Sequence, residues 1–324
     1  MPKRLLFVLA LIAIATVGAP TSRADDAYPS RVIKIVVPSA AGSTTDILAR
    51  LVADQLGKAW NKSVVVENIS GGAMNVGAEH VYRSAPDGYT LMVGPPSPIA
   101  INQLLYPNLS YDPTKFTAVA ALAKIPNVLS VRKDLPANSV KELVAYAKAN
   151  PGKLTYASQG VGSTAQLSAA QLEILAGIKM VHVPYRGAQP ALNDLIAGHV
   201  DMFFDTIATS APLFRAGRLK ILAVASPERS AALPDMPTVA ESGLPGFRSV
   251  TWFGLVAPPG TPAAIVEKIN HGVTAGFKKA EVADKLHALS LEPIGGSPAD
   301  AATFFASETA LWGKVIKDAH ITVK

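Results

Sequence analysis

The 324-residue sequence contains no cysteine. Neither a disulfide framework nor a thiolate metal site is therefore open to it. Charged residues make up only 17% of the chain and form no Lys/Arg cluster. That argues against a nucleic-acid surface, and together with the many Ala, Val, Leu and Ile residues it argues against disorder. Catalytic signatures are missing as well. No serine sits in a G-x-S-x-G elbow, no Walker A string occurs, and Gly160–Ala165 reads GVGSTA, which fails G-x-G-x-x-G. The six histidines (80, 182, 199, 271, 287 and 320) include no i, i+4 pair and no H-E-x-x-H, so neither a metal nor another cofactor is expected. Beyond residue 17 no apolar run approaches the roughly 18 residues of a membrane-spanning helix.

What is present begins with a leader. Lys3 and Arg4 precede an apolar run from Leu5 to Val17, and Ser22-Arg23-Ala24 is a small-x-small cleavage pattern before Asp25. The pattern predicts a signal peptide over 1–24, cleaved after Ala24, and export from the cytoplasm. Removing it takes away Lys3, Arg4 and Arg23, leaving 27 basic against 24 acidic side chains, a net charge of +3 instead of +6. Such a mild excess favours an anionic solute or only aids solubility. An exported chain without disulfides is held together by core burial, and roughly 300 residues are enough for two lobes.

Strand-like runs alternate with helical patterns. VIKIVV (32–37) precedes a helix over 43–56, SVVVEN (63–68) a helix near 74–84, and YTLMVG (89–94) follows a turn. NVLSVR (127–132) leads to SVKELVAYAKANPG, in which Ser139 and Glu142 have capping-box spacing. MVHVPY (180–185), VDMFFD (200–205) and LKILAVAS (219–226) continue the alternation, while Thr261-Pro262 and Ser297-Pro298 read as an N-cap followed by proline at the first helical position. This order predicts an α/β fold with parallel sheets covered by helices. Crossings between lobes are expected near 125–128 and 248–253. One lobe would then comprise 28–126 and 253–324, and the other 127–252.

One string occurs twice. GSTTDILARLVADQLG (Gly42–Gly57) and GSTAQLSAAQLEILAG (Gly162–Gly177) start and end on the same residues at the same spacing, each after a strand-like run. In parallel α/β sheets ligands bind beyond the carboxyl ends of strands, at the first turns of the following helices. Free N–H groups and the helix dipole favour a carboxylate or phosphate there. Ser43 and Ser163 are natural N-caps, with Asp46 and Gln166 at capping-box spacing. Thr44 and Thr164 add hydroxyls, and Gly42, Gly160 and Gly162 allow close approach. A capping serine stabilises a helix by about 1 kcal/mol without any ligand, so a purely structural repeat explains either turn taken alone. His182 reads as a satisfied core residue, and Trp252, Phe253 and Trp312 as core or lobe-junction aromatics. Tyr185 and Arg186 follow a strand, either facing the cleft or as solvated loop residues.

The segments YPSRVIKIVVPSAAGSTTDILAR, VVVENISGGAMNVGAEHVYRSAPDGYTL, LTYASQGVGSTAQLSAAQL, HVPYRGAQPALNDLIAGHVD, DMPTVAESGLPGF and FGLVAPPGTPAAIVEKIN run in this order. Together they resemble the Bug family, the solute-binding proteins of tripartite tricarboxylate transporters, over essentially the whole chain after the leader. The resemblance implies a two-lobe periplasmic binding protein, a type II-like clamshell with the ligand cleft between its lobes. Its ligand would be a small carboxylate held by backbone amides, hydroxyls and ordered waters instead of an ion pair, and its partners integral-membrane transporter subunits. Carried over by position, the site comprises Ser39, Ala41, Gly42, Ser43 and Thr44, then Ser97, and from the second lobe Ser158, Gly160, Gly162, Ser163, Thr164, Tyr185, Arg186, Gly187 and Asp205. The first loop departs from the family's aromatic-x-x-Gly-Gly: SAAGS places Ser39 and Ser43 at the aromatic and second glycine positions. A bulkier or more polar ligand follows from that change, and Asp205, if it faces the cleft, would favour a ligand carrying a donor. Asp205 capping local backbone is the alternative. A periplasmic, monomeric, non-enzymatic receptor is expected; a sensor presenting a bound solute to a signalling receptor and an exported hydrolase are the other classes. The leader and the lack of a helix-turn-helix segment count against a transcription regulator.

Overall fold

The computed structural model describes residues 28–185 and 187–323. The predicted signal peptide and Arg186 fall outside these residues. In chain order the elements are β1 (Ile33–Val37), α1 (Thr44–Trp60), β2 (Val64–Asn68), α2 (Asn75–Tyr82), β3 (Thr90–Gly94), α3 (Asn102–Leu105), β4 (Thr117–Arg132), α4 (Val140–Ala149), β5 (Thr155–Ser158), α5 (Thr164–Ala176), β6 (Val181–Pro184), α6 (Ala188–Ala197), β7 (Met202–Thr206), α7 (Ile207–Arg215), β8 (Leu219–Val224), β9 (Val250–Ala257), α8 (Ala263–Phe277), α9 (Ala280–Ala288), β10 (Glu292–Gly295) and α10 (Pro298–Asp318).

The strands follow the path β2-β1-β3-β9-β4-β7-β5-β6, and off this path β10 pairs with the first part of β4 and β8 with its second part. Strand β4 organises this path. Up to Pro126 it pairs with β9, and from Asn127 with β7 and β8. Proline has no N–H to donate, so it suits the point where one partner ends. The change divides the sheet into two halves, each with a parallel triplet: β2-β1-β3 in one and β6-β5-β7 in the other. All pairings made by β4 and β9 are antiparallel, so the sheets are mixed where an all-parallel arrangement was expected. Sequence alternation reports only the β-α-β units. It cannot show strands that run from one half to the other without a helical crossover. The first part of β4, an Ala-rich run of low strand propensity, escaped the pattern for the same reason.

Helix α1 begins at its Ser43 cap and presents Leu48, Val52 and Leu56 as a fully buried stripe at i, i+4, i+8. It runs through Gly57 to Trp60 and ends at Asn61 in the left-handed conformation, whereas α5 ends on Gly177. The two copies therefore share a start and not an end. Leu56 and Trp60 pack against Gly272 of α8, where an added Cβ would meet them at 2.8 and 3.2 Å; α8 thus holds the last turn of α1 beyond its glycine. Two local expectations need correction. Pro262, not Thr261, is the N-cap of α8, because the Thr261 hydroxyl donates to Pro258 O at 2.8 Å. Ser297 does form a full capping box with Asp300. At Ser43, Ser139 and Ser163, however, the acidic or amide side chain three residues on reaches past the cap to the N–H before it: Gly42, Asn138 and Gly162.

Helix α2 lies unusually close to the end of β1. A Cβ at Gly77 would fall 2.6 Å from Ile69 O and 3.0 Å from Pro38 Cα, backbone atoms that cannot rotate away. Gly77→Ala is therefore expected to lower stability by about 2 kcal/mol from overpacking. Helix propensity alone would predict a gain of about 1 kcal/mol. Urea unfolding decides between these signs.

Candidate functional site

The carboxyl ends of the parallel strands gather six turns. Those after β1, β2 and β3 belong to the first half, and those after β5, β6 and β7 to the second. In the turn after β1, Gly42 at φ +80° lets the chain reverse into α1. Ser43 Oγ accepts from Asp46 N and lies 2.9 Å from Ser39 Oγ. Ala41, Gly42 and Thr44 are exposed, and Ser39 and Ser43 half-buried. Asp46, 3% exposed, accepts from Gly42 N at 2.9 Å, from Arg50 through both carboxylate oxygens, and from Asn68 Nδ2 at 3.0 Å. The Arg50 hydrogen bonds lead in holding its carboxyl below the usual carboxylate range despite burial. Asn68 also donates to Ser39 O. The spacing of the repeat gave no sign of Asn68 or Arg50, because both act through tertiary contacts.

The turn after β5 repeats this geometry with an amide in place of the acid. Gly162 stands at φ +78°, Ser163 Oγ accepts from Gln166 N, and Gly162 N donates to Gln166 Oε1 at 2.7 Å. Ser163 also donates to Gly160 O at 2.7 Å. Fixing Gln166 Oε1 turns its NH2 toward His182 Nδ1, 3.3 Å away. His182 Nε2 in turn lies 2.6 Å from Ser158 Oγ. A serine and a histidine within hydrogen-bond reach invite a nucleophile reading, which the bond directions oppose. Nδ1 accepts from Gln166, so Nε2 carries the hydrogen and donates to Ser158. A general base needs a free lone pair on Nε2. Ser158 is fully buried, accepts from Gly160 N at 3.0 Å and lies 3.1 Å from Gly160 O. Burial also lowers the His182 pKa and keeps the ring neutral, and the ring stacks on Tyr156 with centroids 5.0 Å apart. The chain Gln166–His182–Ser158–Gly160 therefore shapes the turn; His182 is hydrogen-bonded at both ring nitrogens as expected, but it is half-buried and not a core residue.

Some of the second-half residues are joined by hydrogen bonds. Tyr185 N donates to Ser158 O at 2.9 Å, and Gln159 Nε2 to Asp205 Oδ1 at 3.4 Å. The Tyr185 hydroxyl donates to Asp194 Oδ2 at 2.7 Å; burial, then Asp194, pushes its pKa up to about 12. Gly187 is the N-cap of α6, and Thr164 opens α5 half-buried. Asp205, at the end of β7, is 2% exposed and accepts from the Thr209 hydroxyl. Burial pushes its carboxyl up to about 6. Gln159 and Thr209 had no motif to announce them. In the first half, Ser97 is half-buried and opens a π-helical turn, Ser97–Ile101, that leads into α3.

The halves meet at this edge. An added Cβ on Gly162 would lie 2.4 Å from Leu105 Cδ1 of α3. Ile101 and Leu105 share a buried cluster with Leu167 and Ala170 of α5 and with Trp312, Val315 and Ile316 of α10. Behind the edge, Asn127 Nδ2 of β4 donates to Ser249 Oγ, just before β9, at 2.8 Å, and Ser249 Oγ lies 2.5 Å from Ser168 Oγ of α5. The Ser39–Ser43 and Ser158–Ser163 groups are thus each preassembled, on opposite sides of a junction with its own buried polar tie.

Comparison with known proteins is consistent with this arrangement. A family model described as "Tripartite tricarboxylate transporter family receptor" matches residues 48–321. Protein BugT of Bordetella pertussis is 32% identical over 324 residues, covering 99% of each chain. Among solved structures, R. palustris Rpa4515 with adipate is 40% identical at a TM-score of 0.81, covering 91% of this chain and all of that one. MatC from Rhodopseudomonas palustris with bound malate is 35% identical at a TM-score of 0.77, covering 89% of this chain and all of that one. The chain belongs to the tripartite tricarboxylate transporter receptor family, that of the Bug proteins, and has its two-lobe periplasmic binding protein fold.

Proposed function

We propose that the chain captures a small carboxylate between its lobes in the periplasm and delivers it to the integral-membrane subunits of a tripartite tricarboxylate transporter. The observation that carries this reading is the pair of matched turns. Gly42-Ser43 and Gly162-Ser163 each open a long helix, α1 or α5, and each is braced from behind by the side chain at 46 or 166. Such turns offer N–H groups, hydroxyls and a helix dipole to an anion without a neutralising side chain. Adipate and malate in two relatives support a carboxylate. Among the described residues no helix is long and apolar enough to cross a membrane, which suits a receptor handing its solute to separate membrane subunits. Residues 28–126 with 253–324 make one lobe and 127–252 the other in this reading. Ser39, Ala41, Gly42, Ser43, Thr44 and Ser97 would grip from the first, and Ser158, Gly160, Gly162, Ser163, Thr164, Tyr185, Arg186, Gly187 and Asp205 from the second. The receptor acts as a monomer and needs no cofactor.

A thermal-shift screen of mono-, di- and tricarboxylates on the protein after leader removal tests this, since ligand raises apparent stability by mass action. At least one carboxylate is expected to raise the melting temperature. Ser43→Ala and Ser163→Ala each lower intrinsic stability by about 0.5–2 kcal/mol through loss of a cap. Measured well below melting, each should also weaken the same ligand, and the double variant should be non-additive because closure needs both sides. If both single variants bind every tested carboxylate like wild type, the turns are helix caps only.

A further inference from the structure

The turn between β2 and α2 has a backbone that four consecutive L residues would not adopt unaided. Gly71, Gly72, Ala73 and Met74 stand at φ +136°, +52°, +53° and +75°. Ala73 and Met74 carry side chains in the left-handed region, which residues with a Cβ rarely adopt. Strain of that kind persists only where the surroundings impose it, and here they do. Asn102, 2% exposed at the start of α3, donates through Nδ2 to Ala73 O at 2.9 Å and to Asn75 Oδ1 at 2.6 Å. Tyr111, 5% exposed, places its hydroxyl 3.0 Å from Asn75 Oδ1. A buried amide and a buried phenol thus clamp an exposed turn.

The location of the turn gives the strain a use. The chain leaves β2 and passes the end of β1 on its way into α2, where Gly77 touches Pro38. Asn68, the last residue of β2, donates to Ser39 O, and the clamp comes from the segment that begins at Ser97. The turn therefore lies between the Ser39–Ser43 turn and the Ser97 turn, the two first-lobe segments assigned to the ligand. Ala73 and Val76 are exposed, Val76 by 49%, and Met74 is half-buried. None of the three belongs to a hydrophobic core cluster.

We infer that Ala73, Met74 and Val76 form a specificity-determining apolar wall of the ligand cleft, and that Asn102 is the positioning residue that holds it. The inference rests on the carboxylate reading and deepens it. Hydroxyls and N–H groups of the neighbouring turns take the carboxylates, and the wall takes the hydrocarbon between them. A dicarboxylate with an unsubstituted aliphatic chain is the ligand class that fits; a short hydroxylated acid leaves a hydroxyl against methyl and thioether groups.

The test compares adipate with malate by calorimetric titration on the protein after leader removal. Wild type is expected to bind adipate at least tenfold more tightly. Met74→Ser should weaken adipate by about tenfold, equivalent to 1.4 kcal/mol, leave malate within twofold, and leave the melting temperature of the free protein within about a degree. Ala73→Gly relieves the strained position and so folds at least as well; it too should narrow the adipate-to-malate ratio, since the turn loses a methyl group and its fixed shape. Asn102→Ala should narrow the ratio in the same direction, and Asn102→Asp, which keeps the shape but has no amide donor, should not restore it. A wild type that prefers malate, or Met74→Ser and Ala73→Gly ratios within twofold of wild type, overturns the wall while leaving the carboxylate reading intact. Failure of wild type to bind any carboxylate overturns that reading and the wall with it.

Discussion

Glu308→Ala is expected to lower the melting temperature by roughly 6–12 °C, corresponding to about 3 kcal/mol. Glu308 lies within α10 and is 1% exposed. One carboxylate oxygen accepts from Trp252 Nε1 at 2.9 Å, and the other is 3.1 Å from the Arg248 guanidinium. The buried Trp312 indole N–H has no partner with hydrogen-bond geometry, yet it stands close enough to favour the charged carboxylate. Burial nevertheless dominates and raises the Glu308 pKa. Removing the carboxylate leaves the Trp252 N–H unsatisfied, opens a cavity, and strips Arg248 of its counter-charge. Arg248 is a third exposed and partly solvated, so the loss falls at the low end of the range for a broken buried pair. Its backbone N–H donates to Gln171 Oε1 of α5 at 3.3 Å, so this cluster joins α10, β9 and α5. Glu308→Gln keeps an acceptor for Trp252 and should recover more than half of the loss. Equal melting temperatures for the alanine and glutamine variants would instead assign the effect to the ion pair.

The second large effect is a pH dependence centred on Asp205. Its folded pKa is raised by burial to about 6 from an ordinary 3.8. A raised folded pKa favours the protonated acid in the fold. Its stabilising contribution is therefore fully present below the ordinary pKa and is lost as pH rises through about 6, in total about 3 kcal/mol. Burial raises Glu173 and Glu308 in the same sense as Asp205, whereas carboxylates held by cationic or backbone donors act in the opposite sense. Asp46, lowered chiefly by Arg50, contributes stability above the ordinary carboxylate range that is lost as pH falls. The clean measurement is thus the difference between wild type and Asp205→Asn. Asparagine can still accept from Thr209 and does not ionise. Relative to wild type the variant should gain about 2.4 kcal/mol in unfolding free energy between pH 4 and pH 7, since part of the total is already lost at pH 4. A difference independent of pH across that interval would show that Asp205 ionises in the fold as freely as in the unfolded chain.

The amino-acid sequence by itself determined the β-α-β alternation, the two glycine turns and their serine caps. These depend on neighbours one to four residues away, and the residue types needed there are few: a hydroxyl at the cap, a glycine where φ is positive, apolar side chains at helical or strand spacing. It also pointed to the carboxyl edge, because the edge of a parallel sheet follows from strand direction. Only the tertiary structure decided where strands run antiparallel: a crossing near 125–128 was expected, but not that one continuous strand, β4, spans it and exchanges one antiparallel partner for others after Pro126. It alone carried α1 past Gly57, because α8 packs there. It also set the direction of the Ser158–His182 hydrogen bond, which depends on Gln166 being oriented by Gly162 N–H. The left-handed turn at Gly71–Met74 was equally hidden. SGGAMN allows a turn of many shapes, and only the buried Asn102 and Tyr111, bonding to residues 27 to 36 positions before them, select this one. Local spacing records what a residue can do for its own helix or strand, whereas such long-range partners are chosen by packing, which leaves no period in the sequence to read.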